Sequence, residues 1–124
     1  MATVLTNGGE DWAAQRMAGS GALSALTGQY IGWGTGAGTA AKADTTLFTE
    51  TGSRVAGTVS VVGSGATAMY QVTGTLTAAG ALSITNAGNL TASTAGTLIV
   101  HGDHGTVVLG AGDSIAYTIQ VDPQ

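Results

Sequence analysis

The chain has 124 residues and a formal charge of −4, from 3 Lys and Arg against 7 Asp and Glu. It holds no cysteine, which excludes a disulfide scaffold, a thiolate zinc site and a cysteine nucleophile, and it lacks the basic footprint that nucleic-acid binding demands. Only 8% of its residues are charged and 5% aromatic, while Ala, Gly, Thr and Ser make up more than half, a balance that points to a one-domain structural protein rather than to a reaction.

In chain order, Met1-Ala2-Thr3-Val4-Leu5-Thr6-Asn7 carries no basic n-region and no long apolar run, so no signal peptide is expected. A short helix follows. Asn7 reads as its cap, Glu10 and Asp11 as its acidic first turn, Arg16 as its basic end and Gly19 as its stop. Trp12 and Met17 would anchor it to an apolar surface. Leu23 and Leu26 fall in an undecided stretch, and Thr27 to Trp33 reads as a strand carrying Tyr30. Gly34-Thr35-Gly36-Ala37-Gly38-Thr39 reads as a flexible loop, and Leu47-Phe48 as a small apolar anchor among threonines.

Period-two alternation becomes clear after Arg54. Val55, Gly57, Val59 and Val61 share one face. Gly63-Ser64-Gly65 turns the chain, and Tyr70, Val72, Gly74 and Leu76 form the next inward row. After a turn at Ala79-Gly80, Leu82 and Ile84 alternate with Ser83 and Thr85. Asn86-Ala87-Gly88-Asn89 then reads as a turn or loop. Leu98 and Val100 make a short strand, and His101-Gly102-Asp103-His104-Gly105 reads as a tight hairpin turn with both imidazoles in solvent. Val107 and Leu109 follow. Beyond Gly110-Ala111-Gly112-Asp113, the last strand sets Ile115, Tyr117, Ile119 and Val121 on one side. Six or seven short strands with short connections predict an all-β fold. Its expected form is an antiparallel β-sandwich or small barrel, of jelly-roll or β-tulip type. Residues 1–52 are expected to form an extended N-terminal arm with one short helix, and residues 53–124 the β-domain.

Residues 55–102 contain no Asp, Glu, Lys or Arg, but Gly, Thr and Ser interrupt the stretch, so no transmembrane helix is expected. Soluble domains usually keep a quarter or more of their surface charged. Uncharged strands of this length therefore predict faces buried against further copies or against a scaffold.

Candidate chemistry is sparse. The cluster His101-Gly102-Asp103-His104 offers two imidazoles and a carboxylate, but no other His completes a metal site. Val62-Gly63-Ser64-Gly65 resembles a nucleophile elbow yet reads as a hairpin turn. The run Gly32-x-Gly34-x-Gly36-x-Gly38 fits neither common phosphate-binding fingerprint. The seven acids single out no catalytic pair. No catalytic residue, cofactor or metal is expected. Asp113 reads as a turn residue contacting the backbone near Ser114. Glu50 and Arg54 are the best ion-pair candidates because charges are so rare. Trp12, Met17, Tyr30, Trp33, Leu47, Phe48, Glu50 and Arg54 are the interface candidates.

Several segments occur in a telling order: Tyr30-Ile31-Gly32-Trp33-Gly34-Thr35-Gly36, then Ala43-Asp44-Thr45-Thr46-Leu47-Phe48-Thr49-Glu50, then Arg54-Val55-Ala56-Gly57-Thr58. Tyr70-Gln71-Val72-Thr73-Gly74-Thr75, Leu82-Ser83-Ile84-Thr85-Asn86-Ala87-Gly88 and Gly112-Asp113-Ser114-Ile115 complete it. In that order they resemble a family of small virion structural proteins of tailed bacteriophages, most like capsid decoration (cement) proteins. Where family members often carry an acidic residue and an aromatic after the Ile-Thr strand, this chain has Asn86 and Asn89-Leu90. The resemblance implies a non-enzymatic component made in the host cytoplasm and carried on the capsid surface. Its implied partners are the major capsid protein and itself, as a homo-oligomer of trimer type, with no nucleic acid or membrane. Two rivals stand beside it. One is a tail or fibre component with glycan-binding loops around residues 86–96 and 101–105. The other is a hydrolase or metal-dependent enzyme built on the His101–His104 turn.

Overall fold

The structure, a computed structural model, describes residues 3–17 and 29–121. Among these are one α-helix, α1 (Asn7–Met17), and eight strands: β1 (Thr3–Leu5), β2 (Tyr30–Gly34), β3 (Glu50–Ala56), β4 (Thr58–Val62), β5 (Met69–Thr77), β6 (Leu82–Leu90), β7 (Leu98–Leu109) and β8 (Ser114–Val121). Two antiparallel sheets result. The larger has the order β1-β7-β6-β2-β3 and the smaller β4-β5-β8. The all-β, antiparallel expectation with a short N-terminal helix therefore holds, with eight strands rather than six or seven.

Alternation builds the core. Val72 and Leu76 from β5 meet Ile31 and Trp33 from β2, and Ile84 and Leu109 join them between the sheets. Val55, Val59, Ile115, Tyr117 and Ile119 pack around that centre. Val61 continues the inward row of β4 but is 72% exposed, so alternation there does not end in burial. The chain changes sheets at Gly57. Ala56 still pairs with Tyr30 of β2, and Thr58 already pairs with Thr73 of β5. The Gly57 amide donates to the Gln29 carbonyl at 2.8 Å, and a β-carbon there would overlap a Val72 methyl. Only glycine lets the corner pack this closely.

Helix α1 forms where expected, but Thr6 caps it. The Thr6 hydroxyl accepts from the Gly9 amide at 3.0 Å, and the Thr6 carbonyl accepts from the Glu10 amide at 2.9 Å. The hydroxyl also faces the carbonyls of Leu98 and Ile99, which fastens the helix start to β7. Asn7 is the first helical residue instead of the cap. Gly19, Leu23, Leu26 and the start of the predicted Thr27–Trp33 strand lie outside the described residues.

Three expectations are corrected. Residues 3–5 and 30–34 are not an arm: β2 lies between β6 and β3 inside the larger sheet, and the boundary expected near residue 53 falls within β3. Asn86-Ala87-Gly88-Asn89 is not a turn, since β6 runs through it and all four residues are buried. His101–Gly105 is not a hairpin turn, since β7 runs straight through it and His101 is fully buried. In both cases residues that usually mark turns face a covering segment of this same chain, whose contacts replace the water that a turn would meet.

Candidate functional site

That covering segment is the strap between β2 and β3, residues 35–49, which crosses the outer face of the larger sheet. Its seat is a trough of glycines. Gly32 and Gly88 pair directly across β2 and β6, and Gly34 pairs with Asn86. A β-carbon on Gly34 would overlap the Phe48 carbonyl oxygen. One on Gly88 would come within 2.7 Å of a Leu47 methyl, and one on Gly32 within 3.2 Å of the other. The spaced glycines thus make room for the strap. The stretch from Gly34 to Thr39, expected to be flexible, is tied down: the Thr35 amide donates to Thr49 O at 3.1 Å, and the Gly36 amide to Phe48 O at 3.0 Å. Leu47 packs with Leu90 and Leu98 in a second small core, so the predicted apolar anchor at Leu47 is observed.

Polar side chains of β6 and β7 hold the strap to the sheet, among them the Thr85 hydroxyl, which donates to the Gly36 carbonyl. The Asn86 side chain accepts from the Phe48 amide at 3.0 Å and donates to the Phe48 carbonyl at 3.0 Å, as a neighbouring strand would. Asp103 accepts from the Ala40 amide at 2.7 Å. His101 lies between strap and sheet, with Nδ1 2.7 Å from Asp44 Oδ2 and Nε2 3.0 Å from Asn86 Oδ1. The Phe48 ring stands edge-on to the imidazole, with centroids 4.6 Å apart. Burial works to raise the Asp44 carboxyl, but hydrogen bonds from the Ala41 amide and His101, with the His101 charge, outweigh it and hold the carboxyl below its ordinary value. At its outer end the strap meets α1, where the Asn7 amide donates to Lys42 O at 2.8 Å and Lys42 pairs with Glu10.

No family model, curated protein or solved structure matches the chain. What the site can do follows from its geometry. His101 is fully buried and has both ring nitrogens engaged, so it offers no free nitrogen to a substrate or a metal. His104, three residues on, sits apart from it with Nε2 2.9 Å from the Tyr117 hydroxyl. Burial pushes Tyr117 up to about 12. Among the described residues, no group of three or more His, Asp or Glu is placed to hold a metal.

The structure separates the eight interface candidates. Trp33 and Leu47 are core residues, 2% and 4% exposed, so their place in the list is corrected: neither presents a surface. Trp12, Tyr30 and Phe48 are half-buried. Trp12 meets Tyr70 edge-on at 6.4 Å and so rests α1 against the smaller sheet. The Met17 side chain lies outside the described residues. Glu50 and Arg54 form the anticipated pair within the chain, bidentate at 2.7 and 2.9 Å. Arg54 also donates to the carbonyls of Ala92 and Ala95 at 2.8 and 2.7 Å, which pins the 91–97 connection. The hydrogen bond and charge of Glu50 push the guanidinium further up despite its burial. Asp113 does serve a turn, but it accepts from the Gly110 amide at 2.8 Å rather than from the backbone near Ser114.

A second surface was legible only as a residue pattern. The outer face of the smaller sheet aligns Thr58, Thr73 and Thr118 in one row and Ser60, Gln71 and Gln120 in the next. Gln120 donates to Gln71 at 2.8 Å, and the Thr77 and Ser114 hydroxyls meet at 2.8 Å. No strand residue of this face is charged.

Proposed function

We propose that the protein is a virion structural component of a tailed phage, a decoration or cement protein that binds across joints between major capsid proteins and stabilises the head. The observation that carries this reading is the uncharged Thr, Ser and Gln face of the smaller sheet. Two hydrogen bonds, Gln120 to Gln71 and Thr77 with Ser114, run among its side chains, and none carries a charge, so contact with another protein costs less desolvation than burying charges would. The ordered motifs that resemble phage decoration proteins support the same reading. By strand spacing and rise, the face spans roughly 14 by 26 Å, about 350 Å², whereas one side of a stable interface buries about 800 Å². Flanking surfaces, repeated over many copies on a lattice, supply the remainder.

The test is the copy number per purified particle, measured by quantitative mass spectrometry against the major capsid protein. Hundreds of copies support cementing. A few copies, or about a dozen, place the chain in the tail or at a vertex and favour the fibre reading. Absence from particles overturns both. For a fibre reading, only the 91–97 connection remains as a loop among the segments expected to bind glycan, since 86–90 and 101–105 are strands.

A further inference from the structure

We propose that His101 is held as the doubly protonated imidazolium and acts as a proton-gated clamp that fixes the 35–49 strap to the larger sheet. The protonation state follows from its neighbours. Phe48 presents an N–H and a C=O to the Asn86 amide, and that pair fixes the amide orientation: the oxygen faces the N–H and the nitrogen faces the carbonyl. The same oxygen lies 3.0 Å from His101 Nε2, so Nε2 must donate. Asp44 Oδ2 accepts from the Ala41 amide at 2.8 Å and lies 2.7 Å from His101 Nδ1. An ionised carboxylate only accepts, so Nδ1 must donate as well. A neutral imidazole has a single N–H and serves one of these oxygens while turning a lone pair on the other.

The groups around the ring leave the gate to this pair. From the strap, Asp44 faces it, and the Phe48 ring covers it. On β7 the nearest titratable neighbour on the same face is Asp103, which is bonded to the Ala40 amide. The β6 positions beside it are Asn86 and Gly88, and β1 places Val4 opposite, none of them titratable. Glu10 of α1 is paired with Lys42. Loss of the ring proton as pH rises therefore breaks either the Asp44 or the Asn86 contact, and the strap loosens where its Leu47 packs on Leu90 and Leu98. In acid, protonation of Asp44 removes the opposing charge, so the clamp is closed only between these two events.

The test uses the full chain labelled with ¹⁵N-histidine. Long-range proton–nitrogen spectra at neutral pH are expected to show both His101 nitrogens protonated. A bare nitrogen on His101 while the Phe48 amide stays protected overturns the proposal. Hydrogen exchange then reads the gate. After correction for intrinsic base catalysis, protection at the Phe48 amide falls about ten- to hundredfold as the ring loses its proton, the equivalent of one charge-assisted hydrogen bond. The Val72 amide in β5 is the reference that stays unchanged. In Asp44→Asn, which keeps an acceptor and removes the charge, the fall shifts to lower pH. Phe48 protection that stays flat through the ring titration overturns the gate, and because both wild-type measurements stand alone, a variant that fails to fold does not shield the proposal.

Discussion

Replacing Asn86 with Ala tests the strap at its central joint. The side chain accepts from the Phe48 amide and from His101 Nε2, and donates to the Phe48 carbonyl. Truncation strands the Phe48 amide and His101 Nε2 beneath the strap, each costing about 1–3 kcal/mol when left unpaired, while the Phe48 carbonyl keeps the Gly36 amide. Phe48 is only half-buried, so water relieves part of that, and the expected loss is about 2–4 kcal/mol. A domain of this size holds about 5–15 kcal/mol in all. Urea denaturation followed by tryptophan fluorescence gives the number, with the slope on denaturant unchanged because the surface exposed on unfolding is the same. A loss below about 1 kcal/mol for Asn86→Ala, with unchanged slope, would refute the view that this amide joins strap to sheet.

Three other outcomes follow from the same structure. Arg54→Lys loses the bidentate contact to Glu50 and cannot also span the Ala92 and Ala95 carbonyls; it should cost about 1–3 kcal/mol and speed proteolysis within 91–97, which limited digestion will show. Gly34→Ala drives a methyl into the Phe48 carbonyl and should cost about 3 kcal/mol, with raised hydrogen exchange across 35–49 while β5 and β8 keep their protection. Tyr117, raised by burial to about 12, stabilises the fold fully below the ordinary tyrosine value near 10. That contribution is lost as pH climbs toward 12, so alkaline unfolding should lose its steepest limb in Tyr117→Phe, measured as stability against pH from 9 upward.

Where one strand face meets the core and the other meets water, the pattern was plain. Val72 and Leu76 alternate with Thr73 and Thr75, and Ile115 to Val121 repeats the rule; both strands lie in the smaller sheet, whose outer face nothing described covers. The larger sheet is buried on both sides around β6, so alternation fails there. Asn86 and Gly88 occupy the face beneath the strap, one as a stand-in for a strand neighbour and the other for close approach. Asn and Gly otherwise signal turns, which explains why 86–89 read as a loop. Gly32 and Gly34 carried a period-two signal of their own, a strand with one face left bare, but with Gly36 and Gly38 beyond them composition alone suggested flexibility. His101 was read as a solvated turn residue because its partners, Asp44 and Asn86, are 57 and 15 residues away along the chain. No local spacing announces such a site. The Glu50–Arg54 pair, four residues apart and among the few charges, was read directly.

The fastening of α1 has a consequence for how the chain is made. The helix lies near the start of the sequence, yet its capping residue rests on the carbonyls of Leu98 and Ile99, and β1 pairs with residues 100–102. A nascent chain therefore cannot complete its first elements until β7 has left the ribosome. Contacts so distant in sequence close late and slowly. In the interval β6 lacks β7 beside it, and its uncharged strand edge stands open to other chains. Many copies made at once would cross that interval together, so the yield of folded protein depends on how quickly the last third of the chain arrives.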